Sequence, residues 1–365
     1  MKKRICIFCE KWESGGIESF ITNVLTHMDL SEIQIDIVVA QLDKSVFVAQ
    51  LSQVGIKFIE LSGKQRKIRE NRKLFKQLLR TNHYDVVYLN VFQALSMQYL
   101  RIAYTCHVEK RIVHSHNTAL RKSKTRFLKL GIHFLARHLY SGYATEYLAC
   151  SKAAAEFMFP RHTPYRFIPN GINIDRFHFS LEQRKALREQ LHVSDDCLLI
   201  GNVGRLCYQK NQIFLLKVMT KLLQEQKNIK LLLVGDGEAE YELRQQVKNL
   251  KIEDDVIFYG TTKKVEYMYA AMDILAFPSL FEGLGIVAIE AQVNGLPVLC
   301  SEHVPPETRI TDLAVRVPVE LGAKAWSDAI KQYAGHKKLT QKQKDCCKQF
   351  DIELVSKQMQ DILCM

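Results

Sequence analysis

Short apolar runs alternate with longer amphipathic segments along most of the chain. The first series of runs is RICIFC, IQIDIVVA, IKFIEL, DVVYLN and RIVHSH, with helices predicted at about 17–28 and 68–80. A second series, CLLIGNVG, IKLLLVGDG, DVIFYG, DILAFPS and LPVLCS, alternates with helices predicted at about 212–226, 239–250 and 287–294. Buried, β-branched strands joined through helices are typical of parallel sheets covered on both faces. The pattern predicts two doubly wound α/β domains.

The boundary between the two series lies in the segment IPNGINIDRFHFSLEQ, where a Pro-Asn-Gly turn precedes polar residues suited to a linker. We expect an N-terminal Rossmann-like domain over residues 1–178 and a C-terminal one over residues 179–345. The last segment is helical in pattern, and residues from about 346 to 365 are predicted to rejoin the first domain. Because ligands of such sheets collect where strands end, the two lobes are expected to face each other across a cleft.

Positive charge is concentrated in the first half of the chain. Residues 1–178 hold 27 Lys and Arg against 14 Asp and Glu, whereas the remainder hold 24 against 25. Two segments account for the excess: residues 64–80 carry eight basic residues against one acid, and residues 110–145 carry eight with no acid. Such an asymmetry favours a first half that faces phosphates or an anionic membrane surface.

The second basic segment also contains an apolar stripe, because Leu128, Ile132, Leu135 and Leu139 fall on one helical face. Two alternatives are open. The stripe is either packed inside its own domain, or it lies on the anionic inner surface of a membrane. A nucleic-acid partner is not expected, since no basic motif interleaved with aromatic residues is visible.

Targeting signals and metal motifs are weak. No apolar run approaches the roughly 20 residues that span a bilayer, and the start, MKKRICIFCEKW, is too short for a signal-peptide core. We therefore expect a cytoplasmic protein that is peripheral to the membrane.

Among ten cysteines only Cys6 and Cys9 form a C-x2-C pair, with no second pair downstream, so reduced packing thiols are favoured over zinc.

Two candidate groups lie at predicted strand ends in the first half. Gly15 and Gly16 follow the first strand and precede a helix, an arrangement that lets backbone N–H groups approach an anion. Gly-Gly turns before helices are also common without a ligand. His114 and His116 are two residues apart on an extended segment, so their side chains point to the same side. They suit hydrogen bonding to a sugar hydroxyl or proton transfer, or merely cap the strand.

Arg205 and Lys210 flank the loop NVGRLCYQKNQ in the second half, between a strand and a helix. We expect both cations to converge on one anionic group near the helix N-terminus. Gly235 lies at the next strand end, in LLLVGDGEAEYEL, where a tight turn is favoured over a ribose or base contact. Gly235 is nevertheless assigned to the predicted donor-binding residues.

The segment FPSLFEGLGIVAIEAQ carries the strongest signal. Glu282 precedes a glycine-rich turn, and Glu290 follows about two turns into a helix. Gly283 and Gly285 leave backbone N–H groups to meet phosphate or sugar oxygens. Carboxylates accept hydrogen bonds from vicinal hydroxyls, so each acid suits one sugar ring.

At these residues the chain resembles the retaining glycosyltransferases of family 4, which have the two-lobed GT-B fold. The spacing of Glu282 and Glu290 matches the family's E-x7-E motif, and NVGRLCYQKNQ is similar to its G-R-L…K-N segment. PNGINIDRF resembles the signature between the lobes. GGIESFITNVL, RIVHSHN and SEHVPPETRITDL resemble members from bacterial capsule and exopolysaccharide clusters.

The resemblance implies a nucleotide-sugar donor, expected to be a UDP-sugar, held by the second lobe. Arg205 and Lys210 would bind its diphosphate, Glu282 the sugar hydroxyls and Glu290 the ribose. The backbone of the loop between the acids would contact sugar and phosphate through Gly283, Leu284, Gly285 and Ile286.

From the first lobe, the resemblance implies that Gly15 and Gly16 close on the phosphates and that His114, or alternatively His116, meets the sugar. It also implies transfer with retention, without a metal or cofactor, to a saccharide acceptor carried on a lipid diphosphate. The rival functions are a basic nucleic-acid-binding protein and a non-catalytic partner subunit of a glycosyltransferase.

Overall fold

The computed structural model describes residues 2–13, 15–120 and 126–365. The chain divides into two compact units. Unit 1 runs to Ile172 and resumes from Phe350 to Met365, and unit 2 is the continuous segment Asn173–Gln349. The change of unit expected after residue 178 thus falls between residues 172 and 173 in this division.

Unit 1 is built on a seven-stranded parallel sheet. Its strands are β1 Lys3–Trp12, β2 Ile33–Leu42, β3 Lys57–Glu60, β4 Val86–Val91, β5 Lys110–Ser115, β6 Glu146–Ala149 and β7 Arg166–Phe167. Its helices are α1 Gly16–Thr26, α2 Val46–Gln53, α3 Ile68–Asn82, α4 Gln98–Thr105, α5 Arg126–Tyr140, α6 Lys152–Met158 and, at the end of the chain, α14 Ile352–Cys364.

Unit 2 is built on a six-stranded parallel sheet. Its strands are β8 Leu198–Val203, β9 Ile229–Val234, β10 Val256–Gly260, β11 Ile274–Phe277, β12 Val298–Cys300 and β13 Ala314–Arg316. Its helices are α7 Leu181–Gln190, α8 Gln212–Glu225, α9 Glu240–Leu250, α10 Val265–Ala271, α11 Ile286–Val293, α12 Gly322–Tyr333 and α13 Gln341–Cys347.

The strand orders confirm the predicted class of two doubly wound α/β domains. The order is β3-β2-β1-β4-β5-β6-β7 in unit 1 and β10-β9-β8-β11-β12-β13 in unit 2. In each sheet the direction of winding reverses beside the first strand, between β1 and β4 and between β8 and β11. Loops that leave the carboxyl ends of such neighbours diverge, and this is where doubly wound sheets bind ligands.

The helices of unit 1 cover the two faces of its sheet. Helices α1, α2 and α14 pack on one face through a cluster that includes Phe20, Leu51 and Val355. Helices α3, α4, α5 and α6 lie side by side on the other face, where Phe75 and Leu100 belong to the core. The second row of helices carries most of the first basic segment on α3 and the part of the second segment that lies on α5.

The predicted C-terminal helix begins later than expected. Instead of one helix from about residue 346, α13 ends at Cys347 and α14 begins at Ile352. The break has a local cause, because Asp351 caps α14 by accepting from the Glu353 backbone N–H at 3.1 Å. The Ile352 backbone N–H also donates to the Ile172 carbonyl at 2.9 Å, which replaces a helical bond.

Cys6 and Cys9 are both buried in β1, where they contribute to opposite faces of the sheet. Burial raises the pKa of both thiols well above the ordinary value. Their positions fit the predicted packing role, since two side chains on opposite faces do not converge on one ion.

Candidate functional site

The loops after β8 and β11 meet at the winding reversal of unit 2. The Leu280 backbone N–H donates to the Gln209 carbonyl at 2.8 Å, and the Asn211 amide donates to the Pro278 carbonyl at 3.2 Å. The side chain of Gln209 in turn donates to the Phe281 carbonyl at 2.9 Å. These bonds hold the loop of Arg205 and Lys210 against the loop of Glu282.

A buried ion pair lies at this junction. Lys210 Nζ is 2.7 Å from Glu282 Oε1, and Gln209 Nε2 is 3.4 Å from Glu282 Oε2. The Lys210 ammonium also lies 4.9 Å from the centroid of the Phe277 ring. Glu282 is 5% exposed, so removal of its cation would leave a buried charge, at a cost of about 3–5 kcal/mol. The structure therefore brings Lys210, the predicted phosphate-binding residue, into direct contact with Glu282, the predicted sugar-binding residue.

Arg205 makes a different ion pair. Its Nε donates to Glu238 Oε2 at 2.9 Å, with both side chains more than half exposed. The two cations thus pair with different acids, and their convergence on one anionic ligand stays a prediction. A pair this exposed contributes at most about 1 kcal/mol. Arg205 can accordingly exchange Glu238 for a ligand at little cost, whereas Lys210 and Glu282 are held firmly.

A buried amide pair supports the Arg205 loop. Gln212, the first residue of α8, donates to the Asn202 side-chain oxygen and to the Arg205 carbonyl, each at 3.1 Å. Asn202 itself donates to the Ala276 carbonyl of β11 at 2.8 Å. Sequence reasoning missed both residues, although a polar side chain at the end of an apolar strand, as in LLIGNV, is a usable signal.

Gly235 has a packing role in this structure. Its φ is +131°, and a Cβ built there would lie 2.2 Å from the Gly204 carbonyl oxygen. The neighbouring Gly237 approaches the backbone of Leu206 as closely. These contacts join the loops after β8 and β9, and they agree with the tight turn favoured from the sequence. The assignment of Gly235 to donor binding stays a prediction.

The turn between the two acids ends at Gly285, which has φ +90° and precedes the first residue of α11, Ile286. A Cβ at Gly285 would lie 3.0 Å from the Phe277 ring, so glycine is needed for both conformation and space. Leu284 is buried, and its carbonyl accepts from the Thr308 hydroxyl. Gly283 is partly exposed beside it.

Glu290 has a partner that the sequence did not reveal. The Tyr269 hydroxyl donates to Glu290 Oε2 at 2.6 Å. Burial raises the pKa of Glu290, and the Tyr269 hydrogen bond opposes that rise. Burial and the nearby carboxylate together raise the pKa of Tyr269 well above its ordinary value. The pair is separated by 21 residues, so only the packing of α10 against α11 could have shown it.

His114 and His116 lie side by side in unit 1, with ring centroids 3.9 Å apart. The Tyr88 hydroxyl lies 2.7 Å from His114 Nδ1, and Asn90 Oδ1 lies 2.9 Å from His116 Nε2. Because an amide oxygen only accepts, His116 Nε2 donates and the lone pair is on Nδ1, a buried atom without a partner among the described residues. His114 is fully buried, whereas His116 is half-buried.

Both imidazoles are neutral at pH 7. Burial, followed by the neighbouring His116, lowers the pKa of His114 well below its ordinary value. Burial lowers the pKa of His116 to about 3. The rings can exchange hydrogen bonds with a hydroxyl, but they do not supply a proton from an imidazolium at neutral pH.

The Gly15–Gly16 turn precedes α1 and contacts that helix's own carboxylate. Glu18 Oε1 accepts from the Glu13 backbone N–H at 3.2 Å, and a Cβ at Gly15 would lie 2.6 Å from Glu18 Oε2. Burial raises the pKa of Glu18, while backbone hydrogen bonds oppose the rise. A phosphate at this helix start would compete with Glu18. The missed signal was an acid at the third position of the helix, where carboxylates reach back to the cap.

The apolar stripe of α5 is exposed, which overturns the alternative that it packs inside its own unit. Six large apolar side chains of α5 are 43–87% exposed: Phe127, Leu128, Ile132, Phe134, Leu135 and Leu139. The helix instead buries its opposite side through His133, Ala136 and Arg137. Part of the basic segment that precedes it, residues 121–125, lies outside the described residues.

A basic groove of about 490 Å³ lies between α3 and α4 on the same face of unit 1. Its basic side chains, none of which has an ion-pair partner among the described residues, are Arg69, Arg72, Lys73, Lys76 and Arg101.

No described helix is both long enough and apolar enough to cross a bilayer. Nor does the described part of the chain group three or more His, Cys, Asp or Glu side chains as metal ligands.

Two family models match the chain, one on each half. The model described as Glycosyltransferase Family 4 matches residues 14–176, and the one described as Glycosyl transferases group 1 matches residues 183–349. Together they span most of the sequence and both E-x7-E acids. Neither match favours a nucleic-acid-binding protein.

Among similar proteins, EpsF of Bacillus subtilis strain 168, described as a glycosyltransferase, is 26% identical over 91% of this chain and 88% of its own length. An Escherichia coli UDP-Gal:alpha-D-GlcNAc-diphosphoundecaprenol alpha-1,3-galactosyltransferase is 23% identical over 62% of this chain and 59% of its own. The crystal structure of Anabaena HepE with UDP-glucose superposes with a TM-score of 0.79 at 21% identity, over 99% of each chain. These likenesses place the architecture in the GT-B class.

Proposed function

We propose that this chain, a glycosyltransferase of family 4 with the GT-B fold, transfers a sugar with retention from a UDP-sugar to a saccharide carried on a lipid diphosphate. The observation that carries the proposal is the Lys210–Glu282 pair at the winding reversal of unit 2. It sets a cation for phosphate and an acid for hydroxyls side by side, at the sheet edge where such folds bind nucleotides.

The proposed donor contacts follow from this geometry. Lys210 has three N–H donors, so it can keep Glu282 and still bind the diphosphate, while Arg205 leaves Glu238 to join it. Glu282 would then hold sugar hydroxyls, and Glu290, oriented by Tyr269, the ribose. The main catalytic contribution is the positive charge that Lys210 and Arg205 place against the negative leaving diphosphate. These two cations take the place of a metal ion.

Retention is proposed to occur on one face of the sugar, with the leaving phosphate taking the acceptor proton. Glu282 is hydrogen-bonded to Lys210 and enclosed, which suits a binding group better than a covalent nucleophile. From unit 1, the Gly15–Gly16 turn and the neutral histidines are the proposed contacts to phosphate and sugar. His116 is preferred over His114 because it is the less buried ring.

The donor and acceptor classes are supported by similar proteins. HepE has been solved with UDP and with UDP-glucose, and the Escherichia coli enzyme's name gives a UDP-sugar donor and a diphosphoundecaprenol-linked acceptor. On this basis we infer a role in the synthesis of a surface polysaccharide.

The test is a panel of UDP-glucose, UDP-galactose, UDP-N-acetylglucosamine and GDP-mannose, scored by thermal shift and by donor hydrolysis. A donor should stabilise the fold in proportion to the logarithm of its concentration over Kd. We expect one UDP-sugar to stabilise and be hydrolysed equally with and without EDTA, and the transferred sugar to keep its anomeric configuration by NMR. A requirement for a divalent metal, or inversion, would contradict the mechanism.

We further propose that the α3–α6 face of unit 1 lies on the anionic inner surface of the membrane. The exposed stripe of α5 supplies the apolar contact, and the unpaired cations of the α3–α4 groove supply the charge.

Flotation with phosphatidylcholine vesicles, with and without phosphatidylglycerol, tests this contact. The protein should float with the anionic vesicles, and the double change Leu135→Ser and Leu139→Ser should weaken binding at least about tenfold. Leu181→Ser, at a similarly exposed position of α7 in unit 2, is the control. Equal binding to both vesicles at low salt would refute the proposal.

A further inference from the structure

A cavity of about 650 Å³ opens between α5 and α6. Phe134 and Arg137 line it from α5, and Lys152 and Glu156 line it from α6. The segment after α6, which includes Arg161, closes the remaining side. None of the contacts assigned above to the donor uses this cavity.

Arg137 is the unusual residue of the cavity because its charge is buried without an acid. The side chain belongs to a residue only 8% exposed, and no described carboxylate forms an ion pair with it. Its Nη1 donates to the carbonyls of Glu156 and Phe157 at 2.9 and 3.2 Å, at the end of α6. Its Nε is buried and has no partner among the described residues.

The surroundings do not neutralise this charge. His133 lies beside it as a neutral ring, since Nδ1 accepts from the Ala94 backbone N–H at 3.1 Å and Nε2 is 2.9 Å from the Phe157 carbonyl. Burial, followed by the positive charge of Arg161, lowers the pKa of Arg137. Two guanidinium groups therefore face the same space.

One acid of the lining, Glu156, is already engaged. Its Oε1 lies 3.8 Å from Lys152 Nζ, with both side chains about two-thirds exposed. The cavity thus has a net positive lining, and a buried guanidinium with an open N–H favours an anion with several acceptor oxygens, as in a phosphate.

The cavity also has an apolar exit. Phe134 lines it, is 47% exposed and directly precedes Leu135 of the exposed stripe, and the Arg137 guanidinium lies 5.2 Å from the Phe134 ring centroid. A phosphate held inside can therefore carry an alkyl or prenyl chain that leaves along the stripe.

We propose that the α5–α6 cavity binds the phosphate of an amphiphilic lipid, with Arg137 and Arg161 on the phosphate and the hydrocarbon chain along Phe134 and the α5 stripe. The proposal rests on the proposed membrane contact of α5 and is independent of sugar transfer. Two sources share this chemistry: a phospholipid headgroup of the bilayer, and the diphosphate of a lipid-linked acceptor.

The experiment is hydrogen exchange of the full chain with two water-soluble probes, dihexanoyl-phosphatidylglycerol below its micellar concentration and farnesyl diphosphate. Saturating UDP is present throughout to occupy the donor site. We expect slower exchange over the end of α6 and the segment up to Tyr165 with at least one probe. Arg161→Ala, an exposed change, should raise the Kd of that probe at least about fivefold.

Lys57→Ala, which removes an exposed charge on β3 of the same unit, is the matched control and should leave Kd within about twofold. Protection by farnesyl diphosphate alone assigns the site to the acceptor, and protection by phosphatidylglycerol alone assigns it to the bilayer. Protection by neither probe, or an equal loss in both variants, overturns the proposal. Because turnover is not measured, an inactive or differently specific enzyme would leave this result unaffected.

Discussion

At the carboxyl edge of unit 2 the charged side chains pair with one another, whereas at the same edge of unit 1 two neutral imidazoles lie side by side, one fully buried and one half-buried. Lys210 and Arg205 each hold an acid, and His114 and His116 instead share hydrogen bonds with Tyr88 and Asn90. A group of cations without ion-pair partners among the described residues lies elsewhere in unit 1, in the α3–α4 groove. Two sheets with the same winding therefore place charge differently, one in ion pairs at its carboxyl edge and the other on an outer face of helices.

The chain completes the two units differently, since only unit 1 depends on a helix from the end of the chain. From this difference we expect the largest loss of stability. Val355 of α14 is fully buried in the core of unit 1. Val355→Asp should destabilise unit 1 by more than about 4 kcal/mol, because a charge enters an apolar core. Hydrogen exchange should then rise throughout unit 1 and stay unchanged in unit 2. Leu354→Asp, on the exposed side of the same helix, is the control, and equal effects would contradict the division.

The buried pair of unit 2 gives the next largest effect. Lys210→Ala should destabilise unit 2 by about 3–5 kcal/mol and lower transfer about 10²–10³-fold. The double change Lys210→Met and Glu282→Gln removes both charges, so stability should return to within about 1 kcal/mol while transfer stays lost. Denaturation and donor hydrolysis measure the two effects. Near-normal turnover in either variant would refute the assigned role.

His114 and His116 predict a loss of stability in unit 1 at low pH, and unit 2 has its own group of this kind in His336, whose pKa burial lowers to about 4. Their folded pKa values lie below the ordinary value, so the unfolded state binds more protons as pH falls below about 6.5. Stability is therefore complete above that pH and is lost below it, by up to about 1.4 kcal/mol per pH unit for each ring. His116→Gln should flatten this slope, as measured by urea denaturation from neutral pH downwards. His162→Gln, which changes an exposed side chain of the same unit, is the control.

The exposed pair of unit 2 gives the smallest effect on stability. Arg205→Ala should change the free energy of unfolding by less than about 1 kcal/mol, because Arg205 and Glu238 are both well solvated. If Arg205 moves to the diphosphate, the same change should raise the KM for the donor. Glu238→Ala, which frees Arg205, should not. A large loss of stability in Arg205→Ala would show that the pair is more than a surface contact.

The sequence was sufficient for the α/β class, for ten of the thirteen described strands and for the loops of the candidate site, but it missed β6, β7 and β13. Short apolar runs indicated most of the strands. Glycines and charged residues in the loops after strands indicated Lys210 and Glu282. It was insufficient where a side chain's partner is distant along the chain. Tyr269 on Glu290 depends on how α10 packs against α11.

The same limit applied to the helix termini and to α5. The Glu18 carboxylate contacts the Gly15 turn because of the local backbone conformation. The sequence pattern alone does not determine that conformation. Periodicity showed that α5 has an apolar face, but a face alone does not say what covers it. Only the arrangement of its neighbours showed that the unit leaves the stripe exposed.

The return of α14 to unit 1 also sets an order for biosynthesis. Unit 2 is one continuous segment, so all of its strands have been synthesised by the time Gln349 is added. Unit 1, although synthesised first, lacks five buried core side chains until α14 follows: Ile352, Val355, Met359, Ile362 and Leu363. During translation its sheet keeps one face partly uncovered while unit 2 is made. The domain that begins first is thus the last to be finished.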